Sequence, residues 1–200
     1  SVFTLESVSK MDIHKSYIPV QFGGRLSSVL DIEPNFGNTQ TWKGDYSISF
    51  ITQKFHIEGP LKKDRTSFNF SLRDCHAGLF LYPLSKKQYK SASGNEGSIA
   101  YYFYDMNMAI KHQVNEKNTF SWSFYLGQDF YNFSELKVVN TFKKTERRST
   151  DKRIKWMNAA NTFEWNTKFK KLNISNYYNF SWYQLTPKQF LSVDETKFNS

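Results

Sequence analysis

The sequence predicts an all-β protein, and more narrowly a sector of about seven strands from a transmembrane antiparallel β-barrel. Three observations carry that expectation. Polar and apolar residues alternate with a period of two along most of the chain. Aromatic residues make up 18% of a chain whose mean hydropathy is −0.62, more rings than a soluble core of this polarity needs. Long and short connections between the alternating runs take turns, as in outer-membrane barrels. No run reaches the roughly 18 apolar residues of a spanning helix, but a spanning strand needs only about 9–11 of alternating character. Abundant Asn and Ser with scarce Ala also disfavour helices.

Taken in order, residues 1–16 (Leu5-Glu6-Ser7-Val8, then Met11-Asp12-Ile13) read as one short strand and a turn. Residues 17–33 follow as a loop and a closing buried strand from Leu26 to Ile32. The stretch Glu33-Pro34-Asn35-Phe36-Gly37-Asn38 is a linker, since Pro and Gly interrupt a ladder. The boundary therefore falls between a small piece, 1–38, and a large β-structure, 39–200.

Seven runs fill the second part. Tyr46, Ile48 and Phe50 alternate with Ser47 and Ser49; Phe55 and Ile57 with His56 and Glu58; Phe68, Phe70 and Leu72 with Asn69, Ser71 and Arg73. Tyr102, Tyr104, Met106, Met108 and Ile110 oppose Phe103, Asp105, Asn107, Ala109 and Lys111. Phe120, Trp122, Phe124 and Leu126 follow, then Met157, Ala159, Phe163 and Trp165, then Leu172, Ile174, Tyr178, Phe180 and Trp182. The connections near Thr52, at 60–65, 115–118 and 169–171 read as short, and those at 74–98 and 135–152 as long loops. A 13-residue strand at about 3.3 Å per residue and 45° tilt rises roughly 30 Å, enough for an apolar band about 25 Å tall. Trp42, Trp122, Trp165, Tyr178 and Trp182 suit the edges of such a band. A soluble sandwich with one buried face explains the alternation too, but not the placing of long loops at one end.

The net charge of +9 resides mostly in short clusters at turns, Lys62-Lys63-Asp64-Arg65, Lys86-Lys87, Lys143-Lys144, Arg147-Arg148 and Lys170-Lys171, rather than on one helical face. Cys75 is the sole cysteine, so no internal disulfide or multi-cysteine metal site forms. His14, His56, His76 and His112 share no metal-ligand spacing, and Asp74-Cys75-His76 lacks an orienting third group. No catalytic residue, metal or cofactor is expected. Gly23-Gly24 lacks the spacing of a nucleotide loop and reads as a tight turn. The Asn-x-Ser strings at 69, 132, 173 and 179 arise from the alternation itself. The first residues carry no signal-peptide pattern and no starting Met, so the chain is expected to begin inside a longer protein.

Two stretches bring a family into view. Pro19-Val20-Gln21-Phe22-Gly23-Gly24-Arg25-Leu26-Ser27-Ser28-Val29-Leu30-Asp31-Ile32 resembles the closing segment of the plug domain in TonB-dependent outer-membrane receptors. Glu58-Gly59-Pro60-Leu61-Lys62-Lys63-Asp64-Arg65-Thr66-Ser67-Phe68, with Asn69 to Arg73, is similar to the turn between the second and third barrel strands of that family, in its Bacteroidetes type. Residues 99–133 and 154–183 match in pattern only. The chain departs from the family at Glu33-Pro34, where a basic residue is common, and at Asp74-Cys75-His76, where Arg and Tyr are.

The resemblance implies the end of a plug followed by the opening strands of a barrel of about twenty-two. It implies an importer of a scarce nutrient (iron chelate, cobalamin or oligosaccharide) in the outer membrane of a Gram-negative cell, and no covalent chemistry. The partners implied are outer-membrane lipid, the inner-membrane TonB protein acting through a Ton box missing from this chain, and a small-molecule or glycan ligand. A capping surface lipoprotein is left open, and nucleic acid is not implied. Plug–barrel contacts are expected at Gly23, Gly24, Arg25, Ser27 and Ser28 against Glu58, Asp105 and Glu164, with Arg25 forking onto one of those acids. Ligand-contact loops are expected at Phe80, Tyr82, Lys86, Lys87 and Tyr89, and at Lys143, Lys144, Arg147 and Arg148. A passive porin-like barrel and a soluble all-β module for glycans or single-stranded nucleic acid are the rival readings.

Overall fold

The computed structural model describes residues 4–15, 17–22, 27–93, 95–141 and 144–197. Its large element is one antiparallel sheet in strict sequence order: β3 (Lys43–Ile48), β4 (Thr52–Lys62), β5 (Thr66–Cys75), β6 (Glu96–Gln113), β7 (Asn118–Thr141), β8 (Lys144–Phe169) and β9 (Leu172–Lys197). The sheet is open, with β3 and β9 at its edges. A smaller antiparallel ribbon of β1 (Val8–His14) and β2 (Val29–Pro34) precedes it, and one helix, α1 (Gly78–Ser93), joins β5 to β6. Among the described residues no helix is long and apolar enough to cross a membrane, which says nothing of strands.

Register sorts the side chains into two unlike faces. One belt runs Tyr46–Phe55–Leu72–Met106–Leu126–Ala159–Trp182 across all seven strands, each residue paired with the next. Parallel belts run Ile57–Phe70–Met108–Phe124–Asn161–Phe180 and Phe68–Ile110–Trp122–Phe163–Tyr178. The opposite face carries His56, Glu58, Ser67, Asn69, Ser71, Asp105, Asn107 and Ser121. Burial runs opposite to that of a water-soluble sheet. Those polar residues are buried, whereas Phe120, Phe163, Tyr178 and Phe180 are exposed. Among the described residues the buried apolar side chains are Cys75, Ala77, Ala109 and Tyr125, too few and too small for a core.

Rings gather toward the short-turn end of the apolar face. Phe120 stacks on Trp165 at 5.5 Å between centroids, Trp42 meets Phe68 edge-on at 5.3 Å, and Trp122 lies 6.2 Å from Phe163. The indole N–H groups of Trp122 and Trp165 donate to Asn161 Oδ1 (2.6 Å) and Asn118 Oδ1 (3.3 Å), so each indole keeps a polar anchor within an apolar patch.

The structure corrects several expectations. Leu5–Ser7 is a single turn of 3-10 helix and Val8–His14 the strand; β2 runs from Val29 through Pro34, with Leu26 outside the described residues. Pro34 is tolerated because it is the last residue of a two-stranded ribbon. The expected loop 74–98 contains α1, which Pro83 and the lack of an acidic first turn conceal. The expected loop 135–152 is strand: β7 and β8 pair continuously to Thr141↔Lys144. Val138, Val139, Thr145 and Thr150 favour extended chain there. With both faces solvated, no apolar alternation reveals it. β9 runs to Lys197, well beyond the expected end at Trp182, through Pro187, a residue that reads as a strand breaker.

The helix has a structural task. β5 stops opposite Tyr104, leaving the edge of β6 from Glu96 to Phe103 without a strand partner. α1 lies along that edge, where Ser85 Oγ accepts from the Ile99 N–H (3.0 Å) and donates to the Tyr82 carbonyl (2.9 Å). An edge so covered offers no template for further pairing. Ser85→Ala is expected to speed exchange of the Ile99 amide about fivefold, the effect of one lost hydrogen bond, without changing exchange at Met108. Site-resolved hydrogen exchange checks it.

Candidate functional site

The place where distant parts of the chain converge is the polar face of β4, β5 and β6, on which the N-terminal segment sits. Its lining is legible in the pleat. Lys54, His56 and Glu58 on β4 alternate with apolar neighbours, as do Ser67, Asn69 and Ser71 on β5, so all point the same way. The short turn Leu5–Ser7 rests on them, with Thr4 and Ser7 buried.

Among the described residues, hydrogen bonds and one ion pair join the two surfaces. Thr4 Oγ1 and Ser71 Oγ are 2.7 Å apart. The Glu6 carbonyl accepts from Asn35 Nδ2 (2.9 Å) and Asn69 Nδ2 (3.0 Å), and the Glu6 carboxylate receives the Lys54 ammonium. Asn35 Nδ2 also reaches Glu58 Oε2 at 3.0 Å, and its backbone N–H donates to the Ser7 carbonyl at 2.9 Å. His56 sits behind this row, with Nδ1 3.0 Å from Asp45 Oδ1 and Nε2 3.3 Å from Asn69 Nδ2. Burial alone pushes the Glu6 carboxyl up. The hydrogen bond and charge of Lys54, with the backbone, outweigh burial and hold it below its ordinary range.

Just past Asn35 the chain crosses the sheet so closely that only glycine fits. Gly37 has φ +76°, and a Cβ there would lie 2.1 Å from the Phe68 carbonyl oxygen. The Gly37 N–H donates to Asn35 Oδ1 at 2.9 Å, which orients the same Asn side chain that bridges Glu6 and Glu58. Beyond this crossing a cavity of about 140 Å³ lies between the N-terminal segment and the sheet, lined by Ser7, Asn35, Asn69, Asn107, Tyr125 and Thr162 among others. Asn107 Nδ2 is buried there without a hydrogen-bond partner, and the space accommodates several waters.

The expected contact residues fall as follows. Gly23, Gly24 and Arg25 lie outside the described residues; Ser27 and Ser28 are exposed ahead of β2. Glu58, Asp105 and Glu164 do share the polar face. Glu58 is met by Asn35 of the N-terminal segment. Asp105 is engaged within the sheet, by Arg73 Nε at 3.0 Å and Tyr125 OH at 3.3 Å. Glu164 accepts from Asn166 Nδ2 at 2.7 Å. Among the described residues the ion pair between segment and sheet has its acid (Glu6) on the segment and its base (Lys54) on the sheet.

Of the expected ligand-contact residues, five lie on α1 rather than in a loop. Phe80 stacks on Phe50 at 4.4 Å, the Tyr89 hydroxyl donates to Glu135 Oε1 at 2.8 Å, and Tyr82, Lys86 and Lys87 are exposed. Lys143 lies outside the described residues. Lys144, Arg147 and Arg148 are in β8, where Arg148 Nε donates to Glu146 Oε1 at 2.5 Å. Among the described residues no cluster of His, Cys, Asp and Glu is arranged to hold a metal ion. Sequence reading missed Glu6, Asn35, Lys54 and Asn69; the signal available was that β4 and β5 place several polar side chains in a row on one face.

No protein-family model, no curated protein and no solved structure matches the chain.

Two outcomes follow from this geometry. Gly37→Ala is expected to destabilise the seating of the N-terminal segment by about 1–3 kcal/mol, the range for forced backbone strain, as read by urea unfolding. The Glu6–Lys54 contact gives a pH dependence. The folded carboxyl titrates below the unfolded value of about 4.3, so its contribution is complete above that pH and is lost as pH falls through the folded value. Protection factors of the Ser7 and Asn35 amides should therefore hold at pH 5 and drop about two- to fivefold in stronger acid. In Glu6→Gln they should be lower at pH 5 and flat across that range.

Proposed function

We propose that the chain is barrel wall, together with the adjoining end of the plug, of an energy-coupled outer-membrane receptor that imports a scarce nutrient. The observation that carries the reading is the inversion of the sheet. Its most deeply buried side chains are Asn69, Ser67 and Ser71, while the Phe, Trp, Met and Leu belts lie outside. Such a sheet suits lipid on one side and a wet interior on the other. On β8 the apolar face spans Trp165 to Met157, eight residue steps, or about 26 Å along the strand and nearly 20 Å along a bilayer normal at 45° tilt. The rings at the short-turn end occupy the position of an interfacial girdle.

The segment seated on the polar face favours a plugged receptor over a passive porin. Among the described residues it is held to the wall by hydrogen bonds and one ion pair, contacts that water can replace when the segment leaves. In this reading Thr4, Glu6 and Asn35 are the plug's side of the contact, and Ser71, Lys54, Glu58 and Asn69 the wall's. Arg25, which lies outside the described residues, remains a candidate for a further pairing with a lumen acid. The open edge of β9 would continue into the rest of the barrel.

Tryptophan quenching tests the central point, because Trp122 and Trp182 belong to the apolar face and Trp156 to the polar one. In phosphatidylcholine vesicles, brominated acyl chains should quench Trp122 and Trp182, read in variants keeping one tryptophan each. Trp156 should instead respond to aqueous acrylamide. Acrylamide reaching Trp122 and Trp156 alike, with no effect of the brominated lipid, would refute the membrane reading.

A further inference from the structure

We propose that the apolar face of the β8–β9 pair ends in a built cationic site for the phosphorylated headgroup of an outer-leaflet lipid, centred on Arg153, Lys155 and Lys188. The inference rests on the membrane reading above and adds a ligand to it.

Arg153 and Lys188 are direct cross-strand partners, and Lys155, two residues along β8, shares their face opposite Thr186. All three are exposed. Like charges directly opposite one another destabilise a sheet, so the pair is unfavourable unless an anion lies between them. None of the three forms an ion pair among the described residues. The acid closest along this face, Asp151, is opposite Phe190 and makes no ion pair with Arg153; instead the Arg153 guanidinium lies over the Phe190 ring, 5.9 Å from its centroid. The planar guanidinium matches a phosphate bidentately, and the lysines add point charges.

Position selects the occupant. The same face of β8 carries Trp165, Phe163, Ala159 and Met157, interrupted only by Asn161, whose Oδ1 accepts from the Trp122 indole, and the cations begin at the next residue on that face, Lys155. On β9 the sequence Trp182, Gln184, Thr186, Lys188 makes the same change. The change from apolar to basic falls part-way along β8 and β9, beyond the apolar stretch on the side away from the short turns, where headgroups of the outer leaflet would lie. A soluble anion could approach anywhere; a bilayer holds its phosphates at this height. This face also points away from the N-terminal segment, so no plug residue competes for it.

The test uses the protein purified in detergent and exchanged into phosphatidylcholine nanodiscs, with labelled diphosphoryl lipid A or its dephosphorylated form as probe. The protein is expected to retain the phosphorylated lipid. The triple variant Arg153→Gln, Lys155→Gln, Lys188→Gln should lose retention on the order of 100-fold, from three cations near an anionic surface. The triple variant Lys62→Gln, Lys63→Gln, Lys117→Gln at the opposite end, and Arg153→Lys alone, should retain it. The Gln variant should unfold no more readily than the parent, since it removes a repulsion. Equal retention by both triple variants, equal binding of the dephosphorylated lipid, or displacement by millimolar inorganic phosphate would each overturn the site. A protein that enters the nanodiscs but shows no preference for phosphate overturns this inference alone; one that cannot enter them overturns the membrane reading as well.

Discussion

The arrangement depends on a sheet that hydrogen-bonds through its covered face and leaves its apolar face open. In water such a sheet is the wrong way out, because burial of apolar area, at about 25 cal/mol per Å², is the main source of folding stability and here contributes little. What the covered face contains instead is a polar network, Thr4 with Ser71, Glu6 with Lys54, Asn35 and Asn69 with Glu58, Arg73 with Asp105, that leaves Asn107 Nδ2 without a protein partner. Each neutral bond contributes only about 0.5–1.5 kcal/mol net. The sheet's cohesion must therefore come from its ladders and from whatever solvent its rings meet.

The same chemistry sets the character of the join between the N-terminal segment and the sheet. An apolar interface would be strong and slow to separate. Among the described residues this one is made of polar contacts that water can replace, with a cavity beside it at Asn107. Gly37 and the Asn35 side chain fix where the segment crosses, while Glu6 and Lys54 fix its register. Placement is specific although the binding terms are individually modest.

How far this was legible in the sequence depended on contrast between the two faces. Where Phe, Leu and Met alternate with Ser and Asn, as from Phe68 to Leu72 or Met106 to Ile110, strand, face and neighbour all follow from a period of two. Where both faces are polar, as from Glu135 to Thr150, the strand carries no such contrast and reads as loop, although its β-branched residues were there to be counted. The helix Gly78–Ser93 was hidden for a different reason. Its formation depends on the unpaired edge of β6, and only the pairing of β5 with β6 reveals that edge. For the polar face, the period of two assigns Glu58, Asp105 and Glu164 to one side of the sheet, as the register does. It could not say that Asp105 is satisfied within the sheet, because that depends on Arg73 lying directly opposite.

The strands differ greatly in length: β3 has 6 residues and β4 11, whereas β8 and β9 have 26 each. Since the turns 63–65, 114–117 and 170–171 lie together at one end, the surplus accumulates at the other and the sheet's upper margin climbs like a staircase from β3 to β9. α1, set along the bare edge of β6, fills the step between the short strands and the tall ones, so the margin that stands clear belongs to β7, β8 and β9.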